Sequence, residues 1–169
     1  MTTTINSELN GESVTVETRP DRTLRELLRE ELDSYEVKRG CRSGRCGVCT
    51  VLLDGSAVKS CLVMAPKVDG SSVRTVADLG AEGELHPVQQ AFVDEFAVQC
   101  GYCTPGFVMA TVDFLSETET FDRAEAKKAI KGNVCRCTGY EKILDAIEAS
   151  QDVEATPASA DEKSSTHSD

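Results

Sequence analysis

Eight cysteines, in two quartets of different spacing, dominate the chemistry available to this 169-residue chain. The first quartet is Cys41, Cys46, Cys49 and Cys61, spaced C-x4-C-x2-C-x11-C. Its C-x4-C-x2-C core is the plant-type [2Fe–2S] spacing. Two irons bridged by two sulfides need four thiolates; a tight loop can supply three and a returning strand the fourth. The second quartet is Cys100, Cys103, Cys135 and Cys137, spaced C-x2-C-x31-C-x-C. Three other chemistries use the same residues. Zinc sites favour paired C-x2–4-C knuckles, which the three-in-one-loop pattern of Cys41, Cys46 and Cys49 fits poorly. A disulfide framework belongs to short secreted chains. A redox dithiol at Cys100 and Cys103 leaves six cysteines unexplained.

The residues between the ligands bear on the same chemistry. Gly40, Gly44 and Gly47 punctuate the first loop. An anionic cluster needs backbone N–H groups close to sulfur and some residues at positive φ, and glycine permits both. Arg42 and Arg45 lie in the same loop. They raise the cluster's reduction potential by opposing its charge, or they are solvated surface or partner-binding residues. His86 precedes Pro87 at a helix start and reads as structural, and His167 falls near the C-terminus. No Ser–His–Asp set and no glycine-rich phosphate loop is evident.

The elements that position the cysteines fall into two halves. Ile5–Leu9 and Val14–Val16 read as strands joined by the turn Asn10-Gly11. Leu24, Leu27, Leu28 and Leu32 recur at helical spacing, with Thr23 and Glu26 as a capping box. Val48–Leu53 reads as a buried strand, turned back by Asp54-Gly55 toward Ala57–Leu62; Val73 and Val76 suggest one more strand. This predicts an α+β fold whose residues 1–79 form a compact β-grasp-like domain.

Residues 80–150 read as four short helices in a small bundle. Val88, Ala91, Phe92 and Phe96 share one face. Thr104-Pro105 offers an N-cap and a first-turn proline to a helix carrying Phe107, Val108, Thr111, Val112 and Leu115. Asp122 with Glu125 starts the next helix, and Ile143, Leu144 and Ile147 mark the last. Both cysteine pairs of the second quartet then sit at helix junctions, where helix N-termini could offer N–H groups. Gly70-Ser71-Ser72 and Gly80 to Gly83 are turn-rich joints between the halves. Residues 151–169, poor in apolar side chains, are expected to be a disordered acidic tail.

Net charge is −11 and uneven: −1 over residues 1–79, −6 over 80–150 and −4 over 151–169. This argues against nucleic acid and anionic membranes as partners. The acid excess fits a high-salt host or an ordinary acidic protein. No apolar run approaches the ~20 residues of a membrane span, and the first residues lack the basic and apolar stretches of a secretory signal. The expectation is a cytoplasmic protein with reduced cysteines.

Four motifs carry a resemblance. Gly40-Cys-Arg-Ser-Gly-Arg-Cys-Gly-Val-Cys-Thr50, Ser60-Cys-Leu62, Gln99-Cys-Gly-Tyr-Cys-Thr-Pro-Gly106 and Gly132-Asn-Val-Cys-Arg-Cys-Thr-Gly-Tyr140 occur in the order of the small iron–sulfur subunit of molybdenum hydroxylases. Leu85-His-Pro-Val-Gln-Gln90 is similar too. Xanthine dehydrogenase, aldehyde oxidoreductase and aerobic carbon monoxide dehydrogenase belong to that family. Arg42 and Ser43 depart from the small or acidic residues expected there, and the chain after residue 150 lies outside the resemblance.

The resemblance implies a ferredoxin-like β-grasp domain followed by a four-helix domain, with two [2Fe–2S] clusters. Cys41, Cys46, Cys49 and Cys61 would hold the outer cluster. Cys100, Cys103, Cys135 and Cys137 would hold the inner one. Gln99 would hydrogen-bond the pterin of the molybdenum cofactor, and Cys137 would be the ligand closest to that pterin. The chain would belong to a hetero-oligomer with a large molybdenum-binding subunit and a medium FAD-binding subunit. It would pass electrons singly and catalyse nothing alone. Alternatives are a free-standing two-cluster ferredoxin shuttle and a zinc-binding interaction module.

Overall fold

Asn10 and Gly11 have φ of 53° and 80°, the left-handed pair that a tight β-hairpin turn demands. They fold β1 (Thr3–Leu9) onto β2 (Glu12–Thr18) in antiparallel register, Ile5 opposite Val16. Asp54 and Gly55 repeat the device at 49° and 88°, joining β3 (Thr50–Leu53) to β4 (Ser56–Lys59). β5 (Ser72–Arg74) pairs parallel with β1 and antiparallel with β3, so the sheet order is β2-β1-β5-β3-β4. The structure, a computed structural model, describes residues 1–80, 83–118 and 120–152. Most of the expected tail, His167, and Ala81-Glu82 of the expected joint lie outside the described residues.

Helix α1 (Leu24–Glu30) starts at the capping box read from sequence: Glu26 N–H donates to the Thr23 hydroxyl, and the Thr23 N–H donates to the Glu26 carboxylate. Leu24, Leu27 and Leu28 are buried and pack with Ile5, Val51, Val68 and Val73. Cys49 and Cys61 belong to this core. Leu32 lies beyond the helix and packs on the core from outside.

The second part is helical: α2 (Pro87–Asp94), α3 (Thr104–Ser116), α4 (Arg123–Ala129) and α5 (Glu141–Ala149). Phe92, Phe107, Met109, Ile143, Leu144 and Ile147 form its centre, and Cys135 is buried with them. Each such side chain contributes roughly 1.5–3 kcal/mol by burial. Leu52 of β3 is buried in this same cluster, so the sheet and the helices share apolar contact. Asp113 of α3 accepts a hydrogen bond from the Ala57 N–H at 2.9 Å, tying α3 to β4.

Several elements differ from the sequence expectation. Val48 and Cys49 precede β3 as a turn, and Cys61 sits in the turn after β4 rather than on a strand. Val76 opens a short 3-10 turn. Cys103, not Thr104, is the N-cap of α3, and it makes no side-chain cap bond. Phe96 does not share the α2 face. The helix stops at Asp94, and Phe96 adopts φ 56° with 78% of its surface exposed.

Candidate metal centres

The residue 40–49 loop is built around sulfur. The N–H groups of Ser43, Arg45 and Cys46 all donate to Cys41 Sγ, at 3.2–3.4 Å, and the Cys41 N–H donates to Cys46 Sγ at 3.3 Å. Gly44 and Gly47 supply positive φ as expected, and Arg42 does so as well, at 60°. Gly40 has a different reason to be glycine: a Cβ there would lie 2.6 Å from Cys46 Sγ. The Ser43 N–H is the largest influence drawing the Cys41 thiol down to about 6. Cys61, on the buried side, is pushed up to about 11, first by burial and then by its Cys49 neighbour.

The second quartet uses long-range packing rather than one loop. Cys100 and Cys137 Sγ are 3.7 Å apart at the surface. Cys103 and Cys135 meet further in. Burial pushes Cys103 up to about 12, with Cys135 adding to it. Burial also acts to raise Cys135. There it is outweighed by the Thr138 hydroxyl and N–H and the Cys137 N–H, which all donate to its sulfur, so its thiol is lowered. These donors come from the residue 135–138 loop, not from a helix N-terminus as the sequence suggested.

The thiols therefore meet in twos: Cys41 with Cys46, Cys49 with Cys61, Cys100 with Cys137, Cys103 with Cys135. Among the described residues, no three His, Cys, Asp or Glu side chains gather as one ion site. A single tetrahedral zinc asks for four ligands about one point. A two-iron cluster asks for two thiolates at each iron, so the donor set and its pairing fit two such clusters. None of the eight is in a disulfide. Gln99 is exposed and directly precedes exposed Cys100. His86 caps α2, its Nδ1 accepting from the Val88 N–H.

Sequence reasoning did not find the residues that join the two quartets. The Val134 N–H donates to the Cys46 carbonyl at 2.9 Å, and Asn133 Nδ2 to the Gly47 carbonyl at 3.1 Å. The Tyr102 hydroxyl donates to the Arg39 carbonyl at 2.6 Å. Tyr140, at φ 73°, accepts from the Cys135 N–H at 3.1 Å and rests edge-on against Phe107. Asn133 and Tyr140 stood in a recognised motif; nothing local in their types announced these partners.

Two family profiles divide the chain: a "2Fe-2S iron-sulfur cluster binding domain" matches residues 7–76 and a "[2Fe-2S] binding domain" matches residues 75–148. The nicotine 6-hydroxylase small subunit of Paenarthrobacter nicotinovorans is 44% identical over 143 residues, covering 85% of this chain and 86% of that one. The xanthine dehydrogenase iron-sulfur-binding subunit of Escherichia coli O157:H7 is 42% identical, covering 86% and 92%. A chain of quinoline 2-oxidoreductase from Pseudomonas putida 86 superposes with a TM-score of 0.86 at 37% identity, over 89% of this chain and 94% of that one. With its paired thiols and its length matched by these relatives, the chain belongs to the iron–sulfur small subunits of molybdenum-hydroxylase-type oxidoreductases, a non-catalytic part of such complexes.

Proposed function

We propose that this chain carries electrons one at a time from the molybdenum cofactor of a large subunit, by way of its second and then its first cysteine quartet, to FAD on a medium subunit. Cys100, Cys103, Cys135 and Cys137 hold the inner [2Fe–2S] cluster, and Cys41, Cys46, Cys49 and Cys61 hold the outer one. When bound, such a cluster stores and releases one electron. Residues 1–79 act as the ferredoxin-like β-grasp domain and 80–150 as a four-helix bundle domain, with 151–169 as an appended tail. The assembly is a cytoplasmic hetero-oligomer; among the described residues no helix is long and apolar enough to cross a membrane.

The observation that carries this reading is the two-by-two meeting of thiols in both quartets. What the chain's own residues do follows from it. The Cys41 loop turns its N–H groups onto sulfur and stabilises negative charge there. Val134 directly precedes Cys135, so its hydrogen bond to the Cys46 carbonyl joins the backbones of the two quartets through one contact. Gln99 and Cys137 face outward, where a pterin held by a partner can reach them. Leu85, Val93, Phe96 and Val98 are exposed on the helical half and supply apolar surface for the large subunit.

Purification of the native complex without exposure to air tests the proposal. It should yield about four irons and matching acid-labile sulfide per chain, together with co-purifying chains that contain molybdenum and flavin. A colourless, zinc-loaded chain would end the iron–sulfur reading. A red-brown chain that never associates would leave a free ferredoxin shuttle in its place.

A further inference from the structure

The mouth of the first cysteine loop is basic although the chain as a whole is acidic. Residues 37–53 contain four of the chain's 18 basic residues, Lys38, Arg39, Arg42 and Arg45, and none of its 29 acidic ones. Arg39, Arg42 and Arg45 are exposed. Arg39 is held near Glu30 at 3.7 Å. Among the described residues, Arg42 and Arg45 have no acidic partner within ion-pair distance, in a chain of net charge −11. The positive φ of Arg42 belongs to the turn that brings the Ser43 and Arg45 N–H groups onto Cys41 Sγ, so both arginines are exposed residues of the loop that wraps exposed Cys41.

An apolar residue completes the surface. Leu62, directly after Cys61, is 63% exposed and rests over Gly44, whose missing Cβ leaves room for it. Exposed arginines without neighbouring acids are a composition enriched at protein interfaces, and Leu62 adds apolar area beside them. Charge complementarity selects the occupant.

We infer that Arg42, Arg45 and Leu62 form the docking surface for an electron-accepting protein that presents an acidic patch. This rests on the reading that electrons leave through the first quartet. It adds the chemistry by which the acceptor is recognised: the arginines steer an acidic surface toward exposed Cys41, and Leu62 supplies the contact that survives salt. Charge of this sign speeds the encounter with such a partner at low ionic strength.

The test uses the full-length, cluster-loaded chain reduced with dithionite and mixed rapidly with two one-electron oxidants. Ferricyanide is an anion and tris(phenanthroline)cobalt(III) a cation. Each takes one electron from the reduced chain, becoming ferrocyanide or the cobalt(II) complex, and no proton moves. At low ionic strength the Arg42→Glu/Arg45→Glu variant should react about tenfold more slowly with ferricyanide and faster with the cobalt complex, and the difference should vanish in high salt. Poly-L-glutamate should slow reoxidation of the wild type and leave the charge-reversed variant unaffected. Arg42→Lys/Arg45→Lys should behave as wild type.

Rates that ignore the reversal, or that fall alike for both oxidants, overturn the docking proposal while leaving the electron-transfer reading intact. So does duplex DNA blocking the wild type where poly-L-glutamate does not. A chain that takes up no iron overturns both.

Discussion

The two cysteine quartets solve one problem by opposite means. Residues 41–61 gather four thiols within a short stretch, and the loop itself provides the N–H groups on sulfur. Residues 100–137 gather theirs across a 31-residue interval filled by two helices, so the second site exists only when α3 and α4 are packed. Each site nevertheless has the same layering. One pair lies toward solvent, with Cys41 exposed in the first and Cys100 and Cys137 exposed in the second. The other pair is set inward, with Cys49 and Cys61 buried and Cys103 half-buried against buried Cys135. The first site is thus local in the chain, its loop and one hairpin bringing two thiols into the sheet's core, while the second is assembled only by the packing of helices.

Removing one proposed ligand from each quartet should give the largest effects. Cys103→Ser should eliminate the signal of the second site and, in the assembled complex, stop substrate-driven reduction of the first. Cys46→Ser should leave the second site reducible by substrate but block onward transfer. Electron paramagnetic resonance on substrate-reduced complex reads both. Full turnover to the acceptor in either variant defeats the assignment of roles.

This contrast also explains what could be read from residues alone. The first loop, both Xaa-Gly hairpin turns and the Thr23–Glu26 box are local, and each was legible because a few neighbouring residue types decide the backbone. The parallel pairing of β1 with β5 was not, because it joins residues more than 60 positions apart. Phe96 misled for a related reason. Helical spacing put it on the α2 face, but α2 ends at Asp94 and its C-cap residue Glu95 leads the chain into a left-handed turn. The four-thiol layering of the second site, and the Val134, Asn133 and Tyr102 bridges, depend on how the helices meet the sheet.

The junction between the sites is tightly packed. A methyl group added at Gly106 of α3 would drive into the Gly47 carbonyl, a backbone atom that cannot swing away. Gly106→Ala should cost about 2–3 kcal/mol and disturb both sites together. Gly139→Ala, at φ 69° with open space around it, should cost only about 1 kcal/mol of backbone strain. Thermal melts of the loaded protein compare the two. Equal losses would mean that the loop and the α3 start do not bear on each other.

Tyr140→Phe sharpens the contrast with a smaller change. It deletes the hydroxyl that accepts from the Cys135 N–H and leaves that donor without its partner. The expected cost is about 1–3 kcal/mol. The second site's resonance signal and midpoint potential should move and the first site's should stay. A shift in the first signal alone would reverse the assignment of signals to quartets.

The smallest predicted effect separates the two halves by pH. Helix α1 is capped by Thr23 and Glu26, whose carboxyl is held below its ordinary value of 4.5, first by the Thr23 N–H. Helix α2 is capped by His86, whose Nδ1 must be unprotonated to accept from Val88. Burial, helped by the Arg74 charge, lowers the His86 pKa from 6.5. A lowered histidine pKa means that the unfolded chain binds more protons. The contribution of this cap is therefore complete above pH 6.5 and is lost as pH falls through the lower folded value. Glu26 likewise contributes above 4.5 and loses its contribution as pH falls further, through its own folded value.

On acidification, then, the start of the helical half weakens first and the start of α1 later. Each cap contributes about 1 kcal/mol, or about 2–4 °C in melting temperature for a chain of this size. His86→Asn keeps an acceptor at the cap that does not titrate, so it should remove the pH dependence of the upper window and leave the lower one. Glu26→Gln should do the reverse. If His86→Asn melts with the same pH profile as wild type between pH 7 and 5, the His86 cap does not set the upper window.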